Sequence, residues 1–531
     1  MSETAHTPFS ESCNKQTTFS IRSTPPPNML SPPMSPYFLD TNVEGVHAGV
    51  NNRKVLLIYA GGTIGMKWVS GCGYEPVSGY LYSILSSLPY FYRDPLLIDD
   101  DASVDVDVDV DSNGQTNKAQ LTPWLSLAAS QTGPQIDYRI LEHRQLLDSA
   151  NMDMKDWVQL AREVCQHYDR FDGFVILHGT DTMAYTAGAL SFMLGGLSKP
   201  VVLTGSQIPF SELHSDALNN LMGALVIAGH FNMIKEVTVY FGRRLYRGNR
   251  VMKVSNDAIA AFDSPNYPVL METGASQWRL FREHLLSTSN DNMLNCRVRL
   301  EPNVAVLRVF PGISQAAFRA LLAPPIKGVV LVTFGAGNMP NNRPDLYDCL
   351  REAICDRHVV VVNVSQCAHG RVASLYATGS ELSRLGVVSG GDMTVEAALT
   401  KLAHVLGEYP DDHAKVCKLM ERSLAGEIAE PTMEGVRVKI MDAVGKDDAN
   451  VLEALFCGPY GDAVREDLLT WRPMHSLIGN FTILHLAAYL QSMRCTEILS
   501  SYLPMLSQVK DASGRTPRDL ADFKEQIIRH F

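Results

Sequence analysis

Apolar residues in the first half of the chain come in short unbroken runs that end in glycine. KVLLIYAGG (54–62), GFVILHG (173–179), KPVVLTG (199–205) and VTVYFG (237–242) leave almost no polar position for a solvent-facing side. Runs of this kind suit strands buried on both faces, as in parallel sheets. Between them stand segments of helical spacing, such as MDMKDWVQLAREVCQHY (152–168) and TMAYTAGALSFMLGGL (182–197). Strands alternating with helices predict a larger, mainly parallel α/β domain over residues 51–285. After a linker at 286–303 the pattern repeats. The strands AVLRVFPG (305–312), GVVLVTFGAGN (328–338) and HVVVVNVSQC (358–367) alternate with the helices SQAAFRALLA (314–323) and RPDLYDCLREAICDR (343–357). DMTVEAALTKLAHVLG (392–407) and DDHAKVCKLMERSLAGE (411–427) close a smaller βα domain over 304–430.

Three regions depart from this pattern. Residues 1–50 contain STPPPNMLSPPMSP and little periodicity, which predicts a disordered Pro/Ser-rich tail, with a polyproline II docking segment as the alternative. Residues 99–118, DDDASVDVDVDVDSNGQTNK, alternate Asp with Val. Alternation suits a half-buried strand, but like charges along one face repel, so a solvated acidic insertion is expected. Without a turn glycine and a closing glutamate it is no EF-hand loop. From 436 to 531 the chain reads as an α-helical, ankyrin-like segment. TILHLAA (482–488) matches the T-x-L-H-x-A core, and DASGRTPRDLAD (511–522) matches the next repeat's turn and first helix. From Thr482 to Thr516 is 34 residues, one more than the usual period. DDANVLEALFCGPY (447–460) reads as a degenerate helix of an earlier repeat. So few repeats cannot bury their own faces, so the segment is expected to pack on the preceding domain or to include degenerate repeats.

Composition narrows the function classes. The 531 residues carry 46 Lys+Arg against 57 Asp+Glu, a net charge of -11. That argues against nucleic acid or an anionic membrane as the main partner. No apolar run approaches the roughly 20 residues that span a bilayer. The opening MSETAHTPFSESCNKQ has neither the apolar core of a signal peptide nor the Arg-rich character of a mitochondrial presequence. Ten cysteines are scattered without a C-x-x-C pair, so neither a disulfide framework nor a zinc site is expected. The expectation is a reducing, cytoplasmic compartment, with no metal and no cofactor.

Two threonines stand where ligands bind in open α/β sheets, just outside the carboxyl ends of strands. Thr63 lies in AGGTIG and Thr180 in HGTDTM. Gly61 and Gly62 let backbone approach a ligand, and the helix start after Thr180 favours negative charge. A hydroxyl nucleophile beside an anion-stabilising helix start suits acyl transfer. Taken singly, Thr180 also reads as a helix cap and Gly-Gly as a tight turn. P-loop, dinucleotide, G-x-S-x-G and H-E-x-x-H signatures are all absent.

YAGGTIGMKW and LHGTDTMAYTAGALSFMLGGLSKPVVLTGSQIP together resemble the two signatures of the L-asparaginase family, in its cytosolic, bacterial type I-like branch. GYEPVSG (73–79), LLDSANMDMKDW (146–157), RLYRGNRVMKVSNDAIAAFDSPN (244–266), FGAGNMP (334–340) and GGDMTVEAALTKL (390–402) extend the resemblance over about residues 51–430. With the ankyrin-like segment, the layout is similar to animal cytosolic asparaginases also called 60 kDa lysophospholipases. The resemblance implies a two-domain asparaginase fold and hydrolysis of L-asparagine to L-aspartate and ammonia. Thr63 would be the nucleophile, and Tyr74 the mobile-loop tyrosine that contacts its hydroxyl. Gly71, Gly73 and Gly79 flank that tyrosine. Thr180, Asp181 and Lys253 would form the second catalytic group, with Asp181 also holding the substrate ammonium. Asp148, Ser149 and Ala150 would clamp the α-carboxylate. Asn338 would stand near the junction with a neighbouring subunit of a homodimer or homotetramer. Ala150 stands where secreted relatives carry glutamine. The arginine of a type I effector pocket falls at Val332, which implies a near-hyperbolic response to asparagine.

Duller readings stand beside these: Ser149 as a helix cap, Lys253 as a surface lysine and Tyr74 as a packed loop aromatic. Two other functions compete. One is a lysophospholipase or esterase activity, although the sequence shows no apolar lipid lid or serine elbow. The other is an ankyrin-based interaction protein, for which a protein partner of the tail would be the point.

Overall fold

A computed structural model describes residues 52–71, 73–92, 104–110, 116–127, 134–274, 277–286, 293–372, 377–429, 433–457, 461–473 and 480–528. The 1–50 tail lies outside them, as does part of the linker and of the acidic insertion.

Five strands form the parallel centre of the first sheet: β1 (Arg53–Gly61), β2 (Ile136–Leu147), β3 (Gly173–Leu177), β4 (Val201–Thr204) and β5 (Val237–Phe241). Their spatial order is β5-β4-β3-β1-β2. β1 is sandwiched between β2 and β3, with Leu57 opposite Ile140 on one side and Val175 on the other. The apolar runs are unbroken because both faces are covered. Leu56, Ile58 and Ala60 enter one core, while Val55, Leu57 and Tyr59 enter the other. Helices α1 (Met154–His167) and α2 (Met183–Met193) pack on the first face, and α3 (Ala217–His230) on the second.

Antiparallel strands extend this parallel centre at both edges. Arg244–Arg247, Met271–Thr273 and Trp278–Leu280 add antiparallel strands beyond β5. On the other edge, Thr116–Leu121 pairs antiparallel with β2, and Val104–Val110 pairs with Thr116–Leu121. The described part of the acidic insertion is therefore a β-hairpin and not the expected solvated loop. Register explains it: Asp105 stands opposite Gln120, Asp107 opposite Lys118 and Asp109 opposite Asn117, so no Asp is paired with another Asp in the ladder. An acidic outer strand also protects an open sheet edge from further pairing.

A second sheet, wholly parallel, follows: β6 (Val304–Arg308), β7 (Gly328–Thr333), β8 (Val360–Ser365) and β9 (Val388–Ser389), in that order. The same two-sided burial recurs, with Val329 and Leu331 in one core and Val330 and Val332 in the other. Helix α4 (Val395–Glu408) packs against α2 of the first unit. The approach is so close that a Cβ on Gly188 would sit 2.8 Å from Thr400 Oγ1.

Buried polar bonds lock the two units together. Arg250, 2% exposed, donates to the Glu427 carbonyl at 2.6 Å and pairs with Asp392 at 3.0 Å. Asn249 Nδ2 donates to the Ala425 carbonyl at 2.8 Å, and within the second unit Lys401 fixes the segment bearing Glu427 through a fully buried ion pair at 2.7 Å. Leaving any of these charges unpartnered would cost about 3–5 kcal/mol. The units are therefore held as one body.

The helices from Met433 onward pack on one another. Their core joins Val436, Ile440, Leu452, Val464, Leu484, Leu499 and Leu520, and among the described residues it draws none from either sheet unit.

Candidate active site

Four neighbouring strands of the first sheet end side by side, and each delivers polar groups to the same edge. β1 leads into Thr63, β2 into Asp148–Ala150, β3 into Thr180–Asp181, and β4 into Ser206–Gln207. The loops meet because glycine lets them. Gly62 has φ of +91°, and a Cβ there would lie 2.4 Å from Gly179 N. Gly61, at φ +130°, would strike the Leu147 carbonyl at 2.1 Å. No other residue type fits either position. The Thr63 turn is thereby pressed against the backbone just before Thr180.

Thr180 is 6% exposed and is not the cap of α2; that place is taken by Thr182, whose hydroxyl donates to the Ser149 carbonyl at 2.8 Å. Lys253 reaches the site from a short strand pair with Phe262 opposite it. Its ammonium donates to Thr180 Oγ1 at 2.8 Å and to Asp181 Oδ1 at 2.7 Å. At 17% side-chain exposure it is not a surface lysine. The Thr180 hydroxyl passes its own proton toward Gln207 Oε1 at 3.2 Å. Thr180, Asp181, Lys253 and Gln207 thus form one connected network beside Thr63.

Ser149 is 1% exposed under the same edge, and it is not the cap of α1, which is Asp153. Its hydroxyl lies where a Cβ on Gly179 would approach to 2.5 Å. Asp148 caps the short turn Ser149–Asn151 by accepting from Ala150 N at 3.1 Å. His178, fully buried before Gly179, is held by the Gly179 carbonyl at 2.7 Å and by Thr186 at 2.8 Å. Burial lowers its pKa to about 4, so the ring is neutral scaffolding at pH 7.

Tyr74 is placed differently. It sits on a hairpin formed by Met66–Val69 and Gly73–Pro76, 42% exposed, edge-on to Trp68. Its hydroxyl donates to Glu212 Oε1 at 2.6 Å rather than to Thr63. That bond holds its pKa above the ordinary tyrosine value. Asn338 lies in the second unit, in a turn after β7 where Phe334 and Asn338 exchange backbone hydrogen bonds at 3.0 and 2.8 Å. The network around Thr180 is complete without it. Val332 is a buried residue of β7.

Gln207 and Asp216 escaped sequence reasoning. Asp216, 5% exposed, accepts from Gln207 N, Ile208 N and Asn220 Nδ2 at 3.0–3.1 Å, and so fixes the loop that carries Gln207. The signal was present: LTGSQ ends a buried strand just as YAGGT and LHGT do. Among the described residues no group of three or more His, Cys, Asp or Glu could hold a metal ion.

Fold and site define a two-unit α/β protein with a pair of threonines at the carboxyl edge of its larger sheet. Residues 54–286 match the family model "Asparaginase, N-terminal", and residues 303–420 match "Glutaminase/Asparaginase C-terminal domain". The chain belongs to the asparaginase family. It is 41% identical over 385 residues to an L-asparaginase of Dirofilaria immitis, a match covering 71% of this chain and 61% of that one. Identity to L-asparaginase 1 of Escherichia coli K12 is 40%, covering 71% of this chain and 99% of that one. The crystal structure of L-asparaginase I from Vibrio cholerae superposes with a TM-score of 0.58 at 36% identity, covering 72% of this chain and 100% of that one. The matched region thus spans less than two thirds of the Dirofilaria protein but nearly the whole of the bacterial one.

Proposed function

We propose that the protein is an L-asparagine amidohydrolase that forms an aspartyl ester on Thr63. The observation that carries this reading is Lys253, held between the Thr180 hydroxyl and Asp181 beside the Thr63 turn. In the first step Thr63 Oγ1 attacks the side-chain amide carbon. Its proton passes through Thr180 to Lys253, acting here as the neutral amine, and is returned to the leaving nitrogen as the C–N bond breaks, so that ammonia departs. Water then attacks the ester and frees aspartate. Asp181, paired with Lys253 through Oδ1 but 66% exposed at its side chain, meets the substrate ammonium through its second carboxylate oxygen. Ser149, with the backbone of Asp148 and Ala150, receives the α-carboxylate. Anchoring both α-groups fixes the distance to the amide carbon, which sets the chemistry up as a near-attack geometry.

An esterase reading fits this edge less well, because a site built from Asp181, Lys253 and Ser149 is shaped for a zwitterion. Tyr74 is assigned to a lid, and Asn338 to the neighbouring subunit's site in a homodimer or homotetramer. Residues 51–285 and 304–430 are assigned to the two catalytic domains. The ankyrin-like reading of 436–531 draws support from Thr482, which caps its helix with His485 as partner, while His485 Nε2 reaches the Arg515 carbonyl at 3.1 Å. A protein partner for that segment and a cytoplasmic location belong to the same proposal; the eight described cysteines, all unpaired, suit a reducing compartment. The test is release of ammonia and aspartate from L-asparagine by the purified protein against its Thr63→Ala variant. Equal release by both would refute the assignment.

A further inference from the structure

The hairpin bearing Tyr74 is fastened at two places by two carboxylates of opposite exposure. At its root, Glu142 on β2 is 2% exposed, and its Oε1 accepts from Ser78 Oγ at 2.8 Å and Gly79 N at 2.6 Å. Gly79 has φ of +74°, with nothing within 4 Å of where a Cβ would be. At its outer end, Glu212 accepts from Tyr74 Oη at 2.6 Å in an exposed setting. The loop carrying Glu212 is itself tied beside the Thr63 turn: Phe210 N donates to the Ile64 carbonyl at 3.2 Å, and Ser211 Oγ to the Met66 carbonyl at 3.4 Å.

The two fastenings cannot be equally easy to undo. Releasing Glu142 would strand a buried carboxylate whose second oxygen already has no partner. Releasing Glu212 costs far less than releasing Glu142, because water partly replaces the phenol at an exposed oxygen. Any motion of the hairpin therefore pivots near Gly79 and breaks the Glu212 bond. We propose that Glu212 is a positioning residue, a release latch that parks Tyr74 beside the site and must let go before its hydroxyl can turn to Thr63. The inference rests on the lid role assigned to Tyr74.

A latch that holds only the resting state opposes closure, so removing it shifts the lid toward the closed form. Glu212→Ala should lower KM for asparagine by about 5-fold, the worth of one modest hydrogen bond, without raising kcat. Glu212→Gln keeps an acceptor oxygen and should fall between Glu212→Ala and the native protein. Trp68, opposite Tyr74 in the hairpin and 5.3 Å from it between ring centroids, supplies a readout independent of turnover. Its emission and anisotropy are taken as the difference between each protein and its Trp68→Phe counterpart. In the substrate-free protein they should show a freer ring in Glu212→Ala and in Tyr74→Phe, with no further change when the two are combined. A raised KM in Glu212→Ala would place Glu212 in the closed state and overturn the latch; so would unchanged Trp68 signals. If the native protein releases no ammonia from asparagine, the proposed function fails, while the Trp68 comparison still decides the latch.

Discussion

The two sheets of this protein share one kind of strand, parallel and buried on both faces, and differ in what their edges do with polar groups. In both, parallel strands buried on two faces end in glycine turns, AGGTIG after β1 and FGAGN after β7. At the second edge the polar groups are satisfied by the protein itself. Thr333 Oγ1 donates to Asn363 Oδ1 at 2.7 Å, Asn363 Nδ2 to the Gly337 carbonyl at 3.0 Å, Ser365 Oγ to the Gly335 carbonyl at 2.6 Å, and Gln366 Nε2 to the Val332 carbonyl at 3.1 Å. At the first edge, Thr180, Asp181 and Lys253 bond to one another, and Asp181 stays largely exposed. A strand end is thus only a place. It becomes a site where charged and hydroxyl groups face each other and solvent instead of closing onto backbone.

That difference sets the order of expected effects. Thr180→Ala should reduce asparagine turnover on the order of 10³-fold with the fold intact, since it removes the hydroxyl that Lys253 holds beside the Thr63 turn. Circular dichroism and a thermal midpoint like the native protein's would show the loss to be chemical; near-normal turnover would put Thr180 with the threonines of the second edge. Lys253→Met should cost at least about 10²-fold, the usual scale for a lost acid–base group. A pH–rate profile that keeps its native shape in this variant would count against the network.

Substrate choice probes the spacing of the first edge. Glutamine, one methylene longer, places its amide carbon off the Thr63 hydroxyl once both α-groups are held. A misplacement of about 1 Å should lower kcat/KM on the order of 100-fold. Comparable constants for the two amides would mean that the clamp at Ser149 and Asp181 is loose. The smallest effect is expected from deleting 436–531. Those helices carry a core of their own, so the truncated protein should keep its turnover per subunit. Aggregation of the truncated protein would show instead that the helices cover an apolar face of the second unit.

The contrast also explains what the sequence revealed and what it hid. Strands buried on both faces were legible because an unbroken apolar run has few other uses; Val55–Ala60 and Val329–Val332 are of this kind. β2 was hidden. Its sequence, IDYRILEHRQLL, carries charges that resemble a surface segment. In the fold Asp137, Arg139 and Glu142 are buried and answered by groups on other segments: Asp137 accepts from Ser126 Oγ at 2.7 Å and from Asn52 Nδ2 at 2.8 Å, and Arg139 donates to the Thr122 carbonyl at 2.6 Å. The Asp/Val hairpin was misread because charge repulsion along one strand was weighed without the partner strand, whose Lys118 and Gln120 stand opposite the aspartates. Thr63, Thr180 and Lys253 were legible as motif positions. Gln207 and Glu212 were not: although LTGSQ ends a buried strand, a loop amide and a loop carboxylate acquire a role only when folding brings them to Thr180 and Tyr74.

The most direct test sets one threonine from each edge side by side: Thr63→Ala and Thr333→Ala, each measured for ammonia release from asparagine and for thermal stability. Thr63→Ala should lose on the order of 10³-fold or more in turnover and keep its midpoint. Thr333→Ala, which leaves Asn363 Oδ1 without its buried donor, should lose about 1–3 kcal/mol of stability and keep native turnover per folded molecule. The reverse pattern, an active Thr63→Ala protein or a stable but inactive Thr333→Ala protein, would contradict the assignment of the chemistry to the first edge.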